Sequence, residues 1–217
     1  MAVKAIVFDL DGTFYPYSRM FSISLFLALW HPRFLFQFSR VRKEIRSIRP
    51  VDNFRELQAE LLAERLTITR DSAKEAIERI IYNKFENLFR FMKPFPHLTA
   101  TLEELKGAGY KLAVLSDFPV KRKLSYLGLD GLWDYTLSSE ETNYLKPNRE
   151  PFLKIIEMLK VDPVEILFVG DRYHYDVVGA RQVGMKTAHF TRIAEANGLA
   201  DFTFNNYKDF FKLVNNI

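Results

Sequence analysis

Two aspartates that directly follow an apolar segment are the first residues in the chain that could do chemistry. The segment 5–8 (Ala-Ile-Val-Phe) contains no polar residue, as expected for a strand that is buried on both faces of a parallel sheet. Asp9 and Asp11 do not fit inside such a strand, because an unpaired buried charge costs several kcal/mol or more. We therefore expect them at the carboxyl edge of the sheet, where open α/β sheets bind their ligands.

Asp9 and Asp11 are two residues apart, so in an extended segment both side chains point to the same side. Two converging carboxylates repel each other unless a cation or a shared proton lies between them. Mg²⁺, held by one or two carboxylates and a phosphate group of a substrate, fits this arrangement. The dipeptide Asp11-Gly12 is also typical of a tight turn, which is the alternative without chemistry.

Polar residues follow two further apolar segments and could extend the same site. Ser116 comes after the segment 111–115, and Asp171 comes after the segment 165–169 and a glycine. Lys146 precedes a proline in a loop, and its compact charge is suited to phosphate. Each residue has an alternative as a helix cap, surface lysine or turn residue. Because they all follow apolar segments in order, we expect them to meet at one edge of the sheet, with Asp176 at the start of the next helix.

The elements that must position these residues fall into two groups. Segment 14–93 has only helical periodicity, which predicts helices over 21–30, 33–48, 53–66 and 72–89. The rest alternates between strands and helices, which predicts an α/β fold: a Rossmann-like parallel sheet flanked by helices. We therefore expect a core domain formed by residues 1–13 and 94–217, and an inserted all-helical cap domain formed by residues 14–93. The predicted strands are 5–8, 111–115, 135–137, 165–169, 185–190 and 202–204, and the predicted core helices are 99–106, 121–127, 150–159, 176–183 and 208–214.

Composition and charge exclude some functions and leave others open. The 217 residues include no cysteine, which excludes disulfides, thiolate catalysis and zinc–thiolate sites. The formal charge is +4, yet segment 14–93 carries +6 and the remainder −2. This basic segment indicates either an anionic partner or an ordinary solvated helix surface. No recognised nucleic-acid motif is present, so we expect no nucleic-acid partner.

One stretch, residues 20–38, is rich in phenylalanine and leucine. His31, Pro32 and Arg33 interrupt it, and the continuous apolar part is far shorter than the ~20 residues that span a bilayer. We therefore expect no transmembrane segment. The N-terminus shows no signal-peptide pattern, which favours a cytoplasmic protein. A cap helix that touches a membrane or a partner through this stretch is the alternative.

The motifs together resemble those of the haloacid dehalogenase superfamily, in its order and spacing, over the whole chain. The matching segments are Asp9-Leu10-Asp11-Gly12-Thr13, Ser116, Lys146-Pro147 and Gly170-Asp171-Arg172-Tyr173-His174-Tyr175-Asp176. The resemblance implies a phosphatase-type enzyme with a helical cap inserted after the first motif. Dehalogenases of this superfamily lack an aspartate at the position of Asp11, because a halide leaves without a proton. Asp11 therefore favours phosphoryl transfer.

The resemblance also implies a role for each residue. Asp9 would be the nucleophile that forms an aspartyl-phosphate, and Asp11 would be the general acid and then the base. Lys146 would screen the charge between nucleophile and phosphate. Thr13 and Ser116 would bind phosphate oxygens together with Lys146. The Mg²⁺ ligands would be Asp9, the backbone carbonyl of Asp11 and Asp171, with Asp176 in support.

The sequence thus predicts a Mg²⁺-dependent phosphomonoester hydrolase that acts on a small phosphorylated metabolite. A nucleoside monophosphate, a sugar phosphate and phosphoglycolate are candidate substrates. A phosphomutase of the same superfamily is one alternative, and a non-catalytic protein that binds a partner through the basic segment 34–49 is another. Tyr15, Tyr17 and Arg19 are candidate substrate contacts, and His174 is more typical of a satisfied or exposed histidine.

Overall fold

The computed structural model describes residues 2–193 and 198–217. Its centre is a six-stranded parallel sheet in the order β3-β2-β1-β4-β5-β6. The predicted Rossmann-like α/β fold is therefore confirmed. The strands are β1 (Ala5–Phe8), β2 (Lys111–Ser116), β3 (Tyr135–Ser138), β4 (Ile166–Gly170), β5 (Lys186–Phe190) and β6 (Phe202–Phe204).

Strand β1 lies between β2 and β4 and is buried throughout. Its side chains alternate between the two faces of the sheet. Ile6 and Phe8 pack in one hydrophobic cluster, and Ala5 and Val7 pack in another. The absence of alternation in the sequence of β1 is explained by helices that cover both faces.

Helices complete the core on either side of the sheet. Helices α5 and α9 contribute leucine, phenylalanine and valine side chains to the cluster that holds Phe8, and α7 and α8 contribute to the cluster that holds Val7. The core helices are α5 (Leu98–Gly107), α6 (Lys121–Tyr126), α7 (Arg149–Leu159), α8 (Gly179–Arg181) and α9 (Phe210–Val214). A wide helical turn, Tyr173–Val178, leads into α8, so the helix predicted to begin at Asp176 starts earlier.

The segment between β1 and α5 is helical, as predicted, and has a hydrophobic cluster of its own. Its helices are α1 (Tyr17–Trp30), α2 (Pro32–Glu44), α3 (Phe54–Leu66) and α4 (Arg70–Ile77). The helix predicted over 72–89 is not uniform: α4 passes into a wide turn, Glu78–Phe85, and then a tight turn, Leu88–Phe91.

The limits of the core and cap domains at residues 13, 14, 93 and 94 stay a prediction. Phe14, Tyr15, Phe89 and Met92 fall on the cap side of those limits but pack in the cluster that holds Phe8. Within the described residues, no helix is long and apolar enough to cross a membrane.

Candidate active site

The polar residues predicted to converge lie at the carboxyl edge of three neighbouring strands. Asp9 follows β1, Ser116 ends β2 and Asp171 follows β4. Because β1 pairs with both β2 and β4, the ends of these strands are adjacent. Asp9 and Ser116 are buried although both are polar, so their partners decide their chemistry.

Lys146 is the centre of charge pairing at this edge. Its Nζ lies 2.6 Å from Asp9 Oδ1 and 2.6 Å from Asp176 Oδ1, and its side chain is only 3% exposed. Burial by itself would lower the pKa of Lys146, but the carboxylates of Asp176 and Asp9 raise it above its ordinary value. The lysine is therefore a fixed positive charge beside Asp9.

Three carboxylates surround this charge. Asp9, Asp171 and Asp176 each offer an oxygen, and these oxygens lie within 4.8 Å of one another. Burial raises the pKa of Asp9 well above its ordinary value, although Lys146 opposes the shift. Burial and the charge of Asp176 raise the pKa of Asp171 to about 7. When all three carboxyls are ionised, three negative charges face the one ammonium of Lys146, an excess of two that a cation would balance. Carboxylate oxygens are donors that fit Mg²⁺.

The Asp171 carboxylate is expected to destabilise the metal-free fold. Its pKa is about 7 in the folded protein and ~3.9 in the unfolded chain, so the ionised form is disfavoured in the fold. This free-energy penalty is absent at pH values below the pKa of Asp171 in the unfolded chain, and it is complete at pH values above its pKa in the folded protein. Asp171→Asn should therefore stabilise the EDTA-treated protein by about 1–3 kcal/mol at about pH 8, and by much less at about pH 4. Urea unfolding at both pH values measures this, and an equal effect at both would contradict it.

Asp11 has a separate set of partners. Lys123 Nζ lies 2.8 Å from both of its carboxylate oxygens, and the Tyr15 hydroxyl donates a short hydrogen bond to Oδ1. Ser116 Oγ donates to Oδ2 at 3.2 Å. The Asp11 side chain is thus held apart from the three-carboxylate cluster, so metal binding by this residue would have to use its backbone carbonyl.

Lys123 was not among the residues predicted from the sequence. It is 3% exposed and lies over the rings of Phe89 and Phe118. It stands in a run of three basic residues, 121–123, and nothing in that run distinguishes the one that turns inward. Tyr15, a candidate substrate contact, is a partner of Asp11 in the structure.

The basic residues at the end of α2 and in the tight turn that follows it, Ile45–Ser47, pair with the segments that follow β2 and β3. Arg42 pairs with Glu140 and donates to the Asp117 carbonyl at 2.6 Å, and Arg46 pairs with the Asp117 carboxylate. Burial by itself would raise the pKa of Asp117, but Arg46, Lys146 and Arg42 lower it below its ordinary value. Neither alternative from the sequence, a solvated surface or an anionic partner, describes these two arginines, because side chains of the core already neutralise them.

A cavity of about 450 Å³ lies between the cap helices and the strand ends. The residues at the strand ends that line this cavity are Asp9, Asp11, Lys146 and Asp176. Side chains of the helical cap and of the α/β core complete its wall. Tyr17 and Arg172 line it as well, whereas His174 is exposed outside the cavity lining. The other lining residues are Met20, Leu35, Phe38, Ser39, Arg42, Lys43, Arg46, Ile81, Phe85, Asp117, Phe118, Lys123 and Tyr175.

The turn after β1 requires a glycine. Gly12 has φ +96°, and an added Cβ would lie 2.2 Å from Tyr17 Cε2 and 2.6 Å from Asp171 Oδ2. Gly12→Ala should therefore destabilise the protein by about 1–3 kcal/mol and displace Asp171 from the cluster. For a Mg²⁺ ion held by this cluster, we expect at least tenfold weaker binding, which is about 1.4 kcal/mol.

Gly109→Ala is a matched control for this variant. Gly109 has φ +91°, but no atom lies within 4 Å of an added Cβ. An alanine there would be strained in its backbone, as at position 12, but its Cβ would not clash with another side chain. It should lower stability while the Mg²⁺ affinity of the cluster, measured by titration calorimetry, equals that of the parent protein. Equal Mg²⁺ affinity in the two variants would show that Asp171 is not displaced.

Comparison with known proteins identifies the family of this chain. The family model for "haloacid dehalogenase-like hydrolase" matches residues 3–184. The chain is similar to a glyceraldehyde 3-phosphate phosphatase from Methanopyrus kandleri, with 31% identity over 205 residues that cover 88% of this chain and 84% of the relative. It is also similar to the pyrophosphatase PpaX of Bacillus cereus, with 28% identity over 193 residues that cover 87% of this chain and 83% of the relative.

Solved structures share the fold. A 2-haloacid dehalogenase from Pseudomonas syringae superimposes with a TM-score of 0.72 at 22% identity, and the match covers 98% of both chains. A phosphatase of the superfamily from Thermococcus onnurineus gives a TM-score of 0.66 at 24% identity. The chain is a hydrolase and belongs to the haloacid dehalogenase-like hydrolase family.

Proposed function

We propose that this hydrolase cleaves phosphate monoesters of small metabolites through an aspartyl-phosphate on Asp9, with Mg²⁺ as cofactor. One observation carries the proposal: two carboxylates face one cavity, and each is held by its own buried lysine. Asp9 pairs with Lys146, and Asp11 pairs with Lys123. The relatives described as phosphatases support the reaction type.

Asp9 is proposed as the nucleophile. One of its carboxylate oxygens forms a bond to phosphorus while the bond from phosphorus to the leaving oxygen breaks. A phosphate dianion and a carboxylate repel each other, by about 4 kcal/mol per pair of unit charges at ~4 Å and an effective dielectric near 20. Lys146, 2.6 Å from Asp9 Oδ1, reduces this repulsion. When bound by Asp9, Asp171 and the Asp11 carbonyl, with Asp176 in support, Mg²⁺ supplies further positive charge against the phosphate.

Asp11 is proposed as the proton carrier. In its protonated form it gives a proton to the leaving oxygen, and as a carboxylate it then takes a proton from the water that hydrolyses the aspartyl-phosphate. Its oxygens accept hydrogen bonds from Lys123, Tyr15 and Ser116, which fix their direction. Thr13 and Ser116 are proposed to bind phosphate oxygens, since their buried hydroxyls lie 3.2 Å from Asp9 and Asp11.

Lys123 is proposed as a positioning residue for Asp11. Lys123→Met should lower kcat by about 10–100-fold, less than the ~10²–10⁴-fold of a general acid–base group because Asp11 itself remains. The KM for a small ester should change little. Lys123→Arg should recover part of kcat because it keeps the charge. The neighbouring Lys121→Met, on the exposed side of α6, is the control and should be unaffected. An unchanged kcat in Lys123→Met would show that Lys123 does not position Asp11 for catalysis.

The test of the function is phosphate release from an aryl phosphate and a panel of nucleotide, sugar and short-chain phosphates, with Mg²⁺ and with EDTA. We expect release that depends on the metal and a ranking that identifies the leaving group. Phosphate that moves to a second position of one substrate without release would indicate the phosphomutase instead. No turnover by the folded, Mg²⁺-loaded protein would overturn the phosphatase proposal. The cytoplasmic location stays a prediction.

A further inference from the structure

Helix α1 of the cap exposes an unusual amount of apolar surface. Of its 14 residues, only Leu27 is buried. Large exposed apolar patches are rare on monomeric proteins and mark sites of interaction. Five large side chains, which we call the α1 apolar face, are exposed to 48–71%: Phe21, Leu25, Phe26, Leu29 and Trp30.

The α1 apolar face is continuous. Phe21, Leu25 and Leu29 follow one another at intervals of four residues, so they form one ridge along the helix. Phe26 and Trp30 form a second ridge beside it, with ring centroids 5.9 Å apart. A 14-residue helix is about 21 Å long, which is too short to span a bilayer but long enough to lie along its surface.

The charged residues of α1, and those of α2 up to Lys43, are all basic. The sequence contains no aspartate or glutamate from Gly12 to Lys43. Exposed basic residues border the apolar face on α1 and continue on α2, where Phe36 is 58% exposed and Arg40 lies 5.8 Å from its ring. These exposed basic residues are Arg19, Arg33, Arg40 and Lys43.

We propose that α1 binds the protein to an anionic membrane surface. A lipid bilayer with anionic headgroups satisfies both features at once, because the headgroups pair with the basic residues and the acyl boundary covers the phenylalanine, leucine and tryptophan side chains. A second copy of the chain fits less well, because a two-fold interface brings the same basic residues together. This inference does not depend on the phosphatase proposal.

The first experiment is flotation of the full chain with vesicles at low salt. We expect binding to vesicles of phosphatidylcholine and phosphatidylglycerol in equal parts, and little binding to phosphatidylcholine alone. The double variant Phe26→Ser with Leu29→Ser should bind at least about tenfold more weakly. The control is Leu153→Ser on α7 of the core domain, because Leu153 is an exposed leucine (47%) far from α1 in the sequence. This variant should bind the vesicles as the wild-type chain does. Arg33→Gln with Arg40→Gln should lose about fivefold for each charge removed.

The second experiment reports on α1 directly. The chain has two tryptophans, and Trp133→Phe leaves Trp30 as the sole tryptophan while it keeps a ring against Phe14. The emission of this variant should shift to shorter wavelength with anionic vesicles. An unshifted emission, or wild-type flotation that is absent or equal with both lipids, would overturn the proposal. A concentration-dependent dimer that Phe26→Ser with Leu29→Ser abolishes, without vesicle binding, would assign the face to a second copy.

Discussion

Replacement of Asp9 by asparagine is expected to lower phosphate release by at least about 10³-fold, because an amide cannot take over the role of a nucleophilic carboxylate. The two side chains have nearly the same shape, so the cavity should be preserved. Burial raises the pKa of Asp9, and the fold therefore gains little from its negative charge. Lys146 keeps Asp176 as a partner. We expect a folded, inactive protein, measured by kcat and by thermal unfolding.

Asp130→Asn is the control, since Asp130 is an exposed aspartate of the same domain. It should retain the activity of the parent protein. If Asp9→Asn kept more than about a tenth of the parent kcat, Asp9 would not be the nucleophile.

The second large effect is expected at Lys146, on both stability and activity. Lys146→Met leaves Asp9 and Asp176 buried without their shared cation, and loss of one partner of a buried ion pair costs about 3–5 kcal/mol. Since the pKa of Lys146 is raised above its ordinary value, its contribution is complete at neutral pH. We expect this loss in urea unfolding with EDTA, and a fall in kcat of at least about 10²-fold.

Two further variants test whether the loss of stability in Lys146→Met comes from the buried, unpaired carboxylates. Lys4→Met removes a lysine that is 64% exposed and pairs with Glu165, and it should have little effect because exposed ion pairs contribute little. Lys146→Met combined with Asp176→Asn removes the uncompensated charge and should recover stability without activity. If Lys146→Met were as stable and active as the parent, the proposed role of Lys146 would be wrong.

The strands and their parallel sheet could be predicted because they depend on local sequence, whereas the order of the strands comes from the structure. The apolar run before Asp9 predicts a buried strand, and the ends of parallel strands meet at one edge. Asp9, Ser116 and Asp171 were therefore placed together without knowledge of the fold. The irregular turns after α4 do not follow from the local sequence, because packing against neighbours overrides a regular helical pattern.

The partners of the site residues could not be predicted in the same way. Lys123 reaches Asp11 from a position 112 residues away, and Arg42 reaches Glu140 over 98 residues. Such pairs depend on which face of each helix turns inward, and a run of basic residues does not encode that choice. The ion pairs by which Arg42 and Arg46 of the cap segment join Glu140 and Asp117 of the core were therefore visible only in the structure.

In the proposed reaction, phosphate becomes bonded to Asp9 during turnover. The most direct measurement is mass spectrometry of the peptide that contains Asp9, after the Mg²⁺-loaded protein is mixed with its best phosphate ester and quenched in acid. We predict that this peptide carries one phosphoryl group, which is absent with EDTA and absent in Asp9→Asn. Phosphate release at full rate with no phosphoryl group on this peptide at any quench time, or with the group on another residue, would contradict the account.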